Sequence, residues 1–147
     1  MFVRSAVIAA ATLLLAGAPA MAQEAAPAQA EALSPAEAAF QAKSQAFGTR
    51  MNTMQQEVGA AVNAAAGDTT KLSSDVDTIT ARYVPEIEAF ITEVETFIDS
   101  ELATASSEEE RQQLTQARQG VGPSLRAIPT QLKAVALQAA SQPAAQN

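Results

Sequence analysis

The chain of 147 residues has no cysteine, no histidine and no tryptophan. Without cysteine there is no disulfide, so the fold must be held by packing alone. Without histidine or cysteine, the usual nucleophile–imidazole pairs cannot form. The same absence removes the nitrogen and thiolate ligands of structural zinc, the common axial ligands of haem and the Glu-x-x-His pattern of di-iron bundles. No glycine-rich phosphate loop is present either. Carboxylates, Lys or Tyr can also catalyse, but nothing in the sequence marks a poised pair, so no cofactor, no metal and a non-enzymatic role are expected.

Aromatic residues are also scarce, at 4% against 48% hydrophobic, because alanine supplies most of the apolar total. Such a chain favours helices that approach closely and disfavours strands. With 16 Asp and Glu against nine Lys and Arg, the formal charge is −7. That sign repels nucleic acid and anionic membrane surfaces.

The N-terminus carries the one pattern of high specificity. Arg4 supplies a positive charge, Ala6 to Ala16 is apolar apart from Thr12, and Ala20-Met21-Ala22 places small residues where a signal peptidase reads them. Residues 1–22 are therefore expected to be a cleavable signal peptide, with Ala20 and Ala22 the small residues just before the cut and Gln23 the new N-terminus. The apolar run is shorter than the ~20 residues a membrane span requires. There is no twin arginine, so the expected route is the general secretory one, to the periplasm or the external medium. No integral membrane segment is expected after cleavage. Removing Arg4 with the leader leaves eight Lys and Arg against 16 acids.

Residues 23–33 read as a disordered Ala/Pro/Gln lead-in and 140–147 as a disordered tail. Between them, 34–139 form one helical domain. Ser34, Pro35 and Glu37 make a capping box with proline in the first turn. Phe40, Phe47, Met51, Met54, Val58, Ala61 and Ala65 then follow heptad steps, and Gly67 is placed to end the helix. Asp68 can cap a second helix, whose seam reads Leu72, Val76, Ile79, Tyr83, Ile87, Phe90, Val94, Phe97. Two consecutive steps of four around Pro85 mark a stutter. Ile91, Ile98 and Leu102 widen this stripe, so the helix should face two neighbours. Ser106, Ser107, Glu109 and Glu110 signal a third helix start. Its seam is Leu114, Ala117, Val121, Leu125, Ile128, Leu132, Val135, Ala139, with Gly120-Val121-Gly122-Pro123 on a second stutter. The expected fold is all-α: an antiparallel up-down-up three-helix bundle with coiled-coil-like packing, or four helices if residues 120–123 break the third.

Counting residues from the two turns sets Gly48, Pro85 and Pro123 near one height, with Arg50, Arg82, Tyr83, Glu86 and Arg126 close by. This predicts an irregular belt across the bundle. It reads either as a binding notch or hinge, or as a matched kink solvated by arginines. Met51 and Met54 could hold Cu(I), but as seam positions they read as core packing. Asp75 and Asp77 resemble part of a calcium loop without its glycine, and read as surface charges. Glu86, Glu88, Glu93, Glu95 and Asp99 read as a solvated acidic face.

Leu33-Ser34-Pro35 before a long helix, and the Glu/Arg/Gln-rich start of the third, resemble the helix starts of small helical periplasmic stress chaperones. The resemblance is confined to helix-start chemistry and transfers no residue roles. Two functions follow as expectations. The first is an exported bundle acting through contact with a protein partner or through self-association. The second is a chaperone-like or small-ligand-binding module using the belt.

Overall fold

The structure is a computed structural model that describes residues 33–141. The chain divides into two units, Met1–Leu33 and Ser34–Asn147, and the helices of the described residues belong to the second. The expected signal peptide with its cleavage residues, most of the lead-in and residues 142–147 lie outside the described residues.

Four helices follow one another: α1 (Pro35–Ala65), α2 (Thr69–Thr104), α3 (Glu108–Arg126) and α4 (Ile128–Ser141). The fold is all-α, as the periodicity indicates, and Ala140 and Ser141 belong to α4 rather than to the tail. The caps explain where the helices start. Ser34 and Glu37 form a complete capping box, each side chain satisfying the other residue's backbone N–H. Asp68 accepts from the Lys71 N–H at 2.9 Å and Ser107 from the Glu110 N–H at 3.1 Å. The Glu110 carboxylate reaches back to the N–H of Ser106, one residue before the cap. The α1–α2 turn takes two left-handed residues, Ala66 (φ 48°) and Gly67 (φ 91°), where only Gly67 was expected.

The third stretch does split, but not at residues 120–123. Pro123 is accommodated inside α3, and the break falls at Ala127. Pro129 supplies the reason. It has no N–H for the Leu125 carbonyl, and its ring crowds that carbonyl. Ala127 keeps a helical conformation and still donates to Pro123 O at 3.2 Å, while Gln131 donates to Ala127 O. The interruption is thus a local one, and Ile128 and Leu132 beyond it still pack on the core. Val135, assigned to the seam, is 62% exposed, and Ala136 is buried instead. In α2, by contrast, the helix runs unbroken through Pro85.

The α1 seam is as expected: Phe47, Met51, Met54, Val58, Ala61 and Ala65 are all buried. The buried set of α2 differs. It is Leu72, Val76, Thr80, Tyr83, Ile87, Ile91, Val94 and Ile98, stepping four, four, three, four, four, three, four. This is an eleven-residue repeat, which drifts around the helix the opposite way from a heptad. The drift suits a helix with several neighbours, and α2 packs against α1, α3 and α4 alike, whereas α1 and α3 approach each other least. Thr80 enters the core because its hydroxyl donates back to Val76 O at 2.9 Å.

Three core clusters stack along the bundle. Val58, Ala61, Ala65, Leu72, Val76 and Ala136 fill the end near Gly67. Phe47, Met51, Met54, Tyr83, Ile87 and Ile91 fill the middle. Val94, Ile98, Ala105 and Leu114 fill the other end, with half-buried Phe40 and Phe90 packed on them. Phe90 and Phe97 face α1, stacking on Phe47 and Phe40 at centroid distances of 4.0 and 4.2 Å.

The candidate belt and the ion pairs that occupy it

Part of the expected belt assembles. Arg50 of α1 grips Glu86 of α2 through two hydrogen bonds, one of them Nε to Oε2 at 2.7 Å. Its guanidinium also lies 5.3 Å from the centre of the Tyr83 ring, a cation–π distance. Arg82 donates to Glu57 at 2.7 Å. Gly48 lies two residues from Arg50 on α1, and Pro85 is next to Glu86, so these two share the level. The structure does not set Pro123 there. Its neighbour Gly122 backs onto Ile91, with 3.7 Å from its would-be Cβ to Ile91 Cγ2. That is six residues, about 9 Å, along α2 from Pro85. Arg126 pairs with Glu88 through two bonds of 2.7 and 2.8 Å. Carried three residues further, this antiparallel register brings Pro129 close to the level of Pro85.

These contacts shift the ionisation of the groups involved. The hydrogen bonds from Arg50 hold the Glu86 carboxyl below its ordinary range, and those from Arg126 do the same to Glu88. The same bonds raise Arg50 and Arg126, so both stay charged at any ordinary pH. Burial raises the Tyr83 phenol, with the Glu57 carboxylate adding to it, so Tyr83 is neutral.

Glu57 and Glu88 are the partners that sequence reasoning missed. A signal for the first existed: Lys43, Arg50 and Glu57 recur every seven residues beside the α1 seam, where interhelical ion pairs form. On α2 their partners are Glu93, Glu86 and Arg82, stepping seven and then four. The short step coincides with Pro85. The expected solvated acidic face of α2 is therefore largely a set of clasps. Glu86, Glu88, Glu93 and Asp99 each hold a cation of α1 or α3. Asp77 holds Lys133 of α4 at 2.6 Å, and Asp75 pairs with Lys71. Arg111 completes the set, lying 4.0 Å from Glu108 and donating to the Ala105 carbonyl. Every Lys and Arg among the described residues is paired, and all six pairs between helices involve α2.

Met51 and Met54 are both buried in the middle cluster, Met54 completely. Among the described residues no group of three acidic side chains is placed to hold a metal ion. No helix there is long and apolar enough to cross a membrane. An open groove of about 600 Å³ lies away from the belt, lined by Thr69, Thr70, Ser73, Ser74, Asp77, Thr78 and Leu137. No protein-family model matches the chain, nor does any curated protein or solved structure.

Proposed function

We propose that the chain is an exported, non-enzymatic helical bundle that acts through contact with another protein molecule. One observation carries this reading over a ligand-binding belt: each belt arginine already has a carboxylate partner. An anionic ligand would have to displace Glu57, Glu86 or Glu88 from a charge-assisted bond to reach a guanidinium. What the bundle offers a partner is its outer surface, which is acidic in some places and uncharged in others. Export rests on the Arg4, Ala6–Ala16 and Ala20-Met21-Ala22 pattern.

The test is site-specific photo-crosslinking in cells that express the full chain. A photoreactive residue replaces in turn Gln56, Gln116 and Val135 on the outer faces, and Arg82 in the belt. Protein adducts are expected from one or more outer positions and not from Arg82. Adducts from Arg82 alone, or none from any position, would overturn the reading. Sequencing the exported form from its N-terminus should begin at Gln23.

A further inference from the structure

The charges of this bundle are unevenly spread. Between Met51 and Ala66 the only charged residue is Glu57, and between Ala127 and Ser141 the only one is Lys133. Both are tied to α2, Glu57 by Arg82 and Lys133 by Asp77. Of the 16 acids, Glu24 and Glu31 lie outside the described residues, so 14 face eight Lys and Arg, a balance of −6. Glu57 and Lys133 cancel, so the whole of that balance sits elsewhere. α1 and α4 pack against each other at this end. Their outer sides carry Gln55, Gly59 and Asn63 from α1, and Gln131, Val135 and Ala139 from α4, all exposed. Val135 is 62% exposed, against 43% for Val84.

Resting on the reading of protein contact above, we infer that this α1/α4 face docks a second copy of the same chain as a reversible two-fold dimer. Charge selects the occupant. Two acidic copies repel wherever their carboxylates meet, and any charged face must also be desolvated. The α1/α4 face has neither cost. A two-fold contact sets the same patch against itself, so the patch must be its own complement. Glutamine and asparagine meet that condition, because each donates and accepts. Val135 is exposed, and Gly59 leaves its turn of α1 without a side chain, with nothing within 4 Å of where its Cβ would lie.

Size sets the strength. About 15 residues of each helix give a length of roughly 22 Å, and two helices side by side span roughly 20 Å. The patch is thus on the order of 400 Å² per copy, about half of the ~800 Å² of a standard stable interface. The dimer is weak and concentration-dependent.

Sedimentation velocity on the protein recovered after expression of the full chain tests this, from about 10 μM to 1 mM. A monomer–dimer equilibrium is expected that strengthens as salt rises, because screening removes the net repulsion. Gly59→Glu and Val135→Glu should each weaken dimerisation at least tenfold with helical circular dichroism unchanged. Both sites are exposed, and Gly59 has room for a side chain. Gln116→Glu on α3 adds the same charge off the face and should leave dimerisation within a factor of two. A monomer at 1 mM, a dimer indifferent to both face variants, or association that weakens with salt would overturn the inference. A monomer whose Val135 photo-crosslinker traps a different protein would also overturn it, yet leave the proposed function standing.

Discussion

At the Gly67 end of the bundle, α1, α2 and α4 meet through Ala61, Ala65 and Ala136 around Leu72 and Val76. α1 and α3 approach each other least of any two helices, and at the Ala105 end Phe40 and Phe90 pack over Val94, Ile98 and Leu114, with Phe97 stacked on Phe40. At the small-residue end Leu72 and Val76 are completely buried, with Val62, Leu132 and Leu137 partly buried around them. At the aromatic end the rings of Phe40, Phe90 and Phe97 stay partly exposed. The difference shows how a chain with few aromatics distributes them: rings go where three helices do not close on one another, and alanine goes where they do.

This contrast can be broken by substitution. The largest effect is expected at Leu72, which is completely buried among small neighbours that cannot collapse onto a void. Leu72→Ala should cost about 2–5 kcal/mol in denaturant unfolding. Phe97→Ala removes more atoms but should cost only about 1–2 kcal/mol, because the ring is partly exposed and loses mainly its stack on Phe40. An equal or larger loss at Phe97 would show that the aromatic end is the true core. The turns should differ in the same direction. Gly67 has φ 91°, so Gly67→Ala is expected to destabilise by about 1–2 kcal/mol. Ala105 has an ordinary φ of −58° and carries no such penalty.

Acid should act on the middle rather than on either end. Glu86 and Glu88 have folded pKa values below their ordinary 4.5. Unfolding therefore takes up protons at low pH. The stability these groups add is present above about pH 4.5 and is lost as pH falls through their lowered folded values. The pairs are exposed, so the expected fall in Tm between pH 7 and pH 3 is modest. Glu88→Gln should flatten part of it. The smallest expected effects are at the two glycines of α3, of which Gly120 meets nothing within 4 Å. Gly120→Ala should raise stability by up to about 1 kcal/mol. Gly122→Ala should gain less, because its Cβ would come within 2.9 Å of the Arg126 guanidinium and push it off Glu88.

Local chemistry made much of the fold legible. The capping residues Ser34, Asp68 and Ser107 mark their helix starts, and the α1 seam is readable because α1 keeps one apolar stripe throughout. The α2 seam was half legible. An eleven-residue repeat resembles a heptad with a stutter over short stretches, and Thr80 reads as polar until its back-bond to Val76 is known. The α4 phase was only partly legible: Ile128 and Leu132 pack on the core as the seam predicts, but the next step is four residues rather than three, so Ala136 is buried and Val135 exposed. At the belt, the grouping of Arg50, Tyr83 and Glu86 followed from counting along α1 and α2. Counting failed for Pro123, because Arg126 pairs with Glu88 and so centres the α2–α3 hairpin near residue 107 rather than 105. The carboxylates that neutralise the arginines come from neighbouring helices, and pairing between helices is set by register rather than by composition.

The position of α2 also has a kinetic consequence. Its contacts with α1 and α3 join elements adjacent in sequence, so two helical hairpins can form across short loops before any distant segment arrives. Only α4 must travel back along the molecule, to dock beside Leu72 and Ala65. A topology so dominated by local contacts folds in milliseconds or less. Stopped-flow refolding should show α4 docking as the late step, and Ala136→Gly should speed unfolding while leaving the refolding rate almost unchanged.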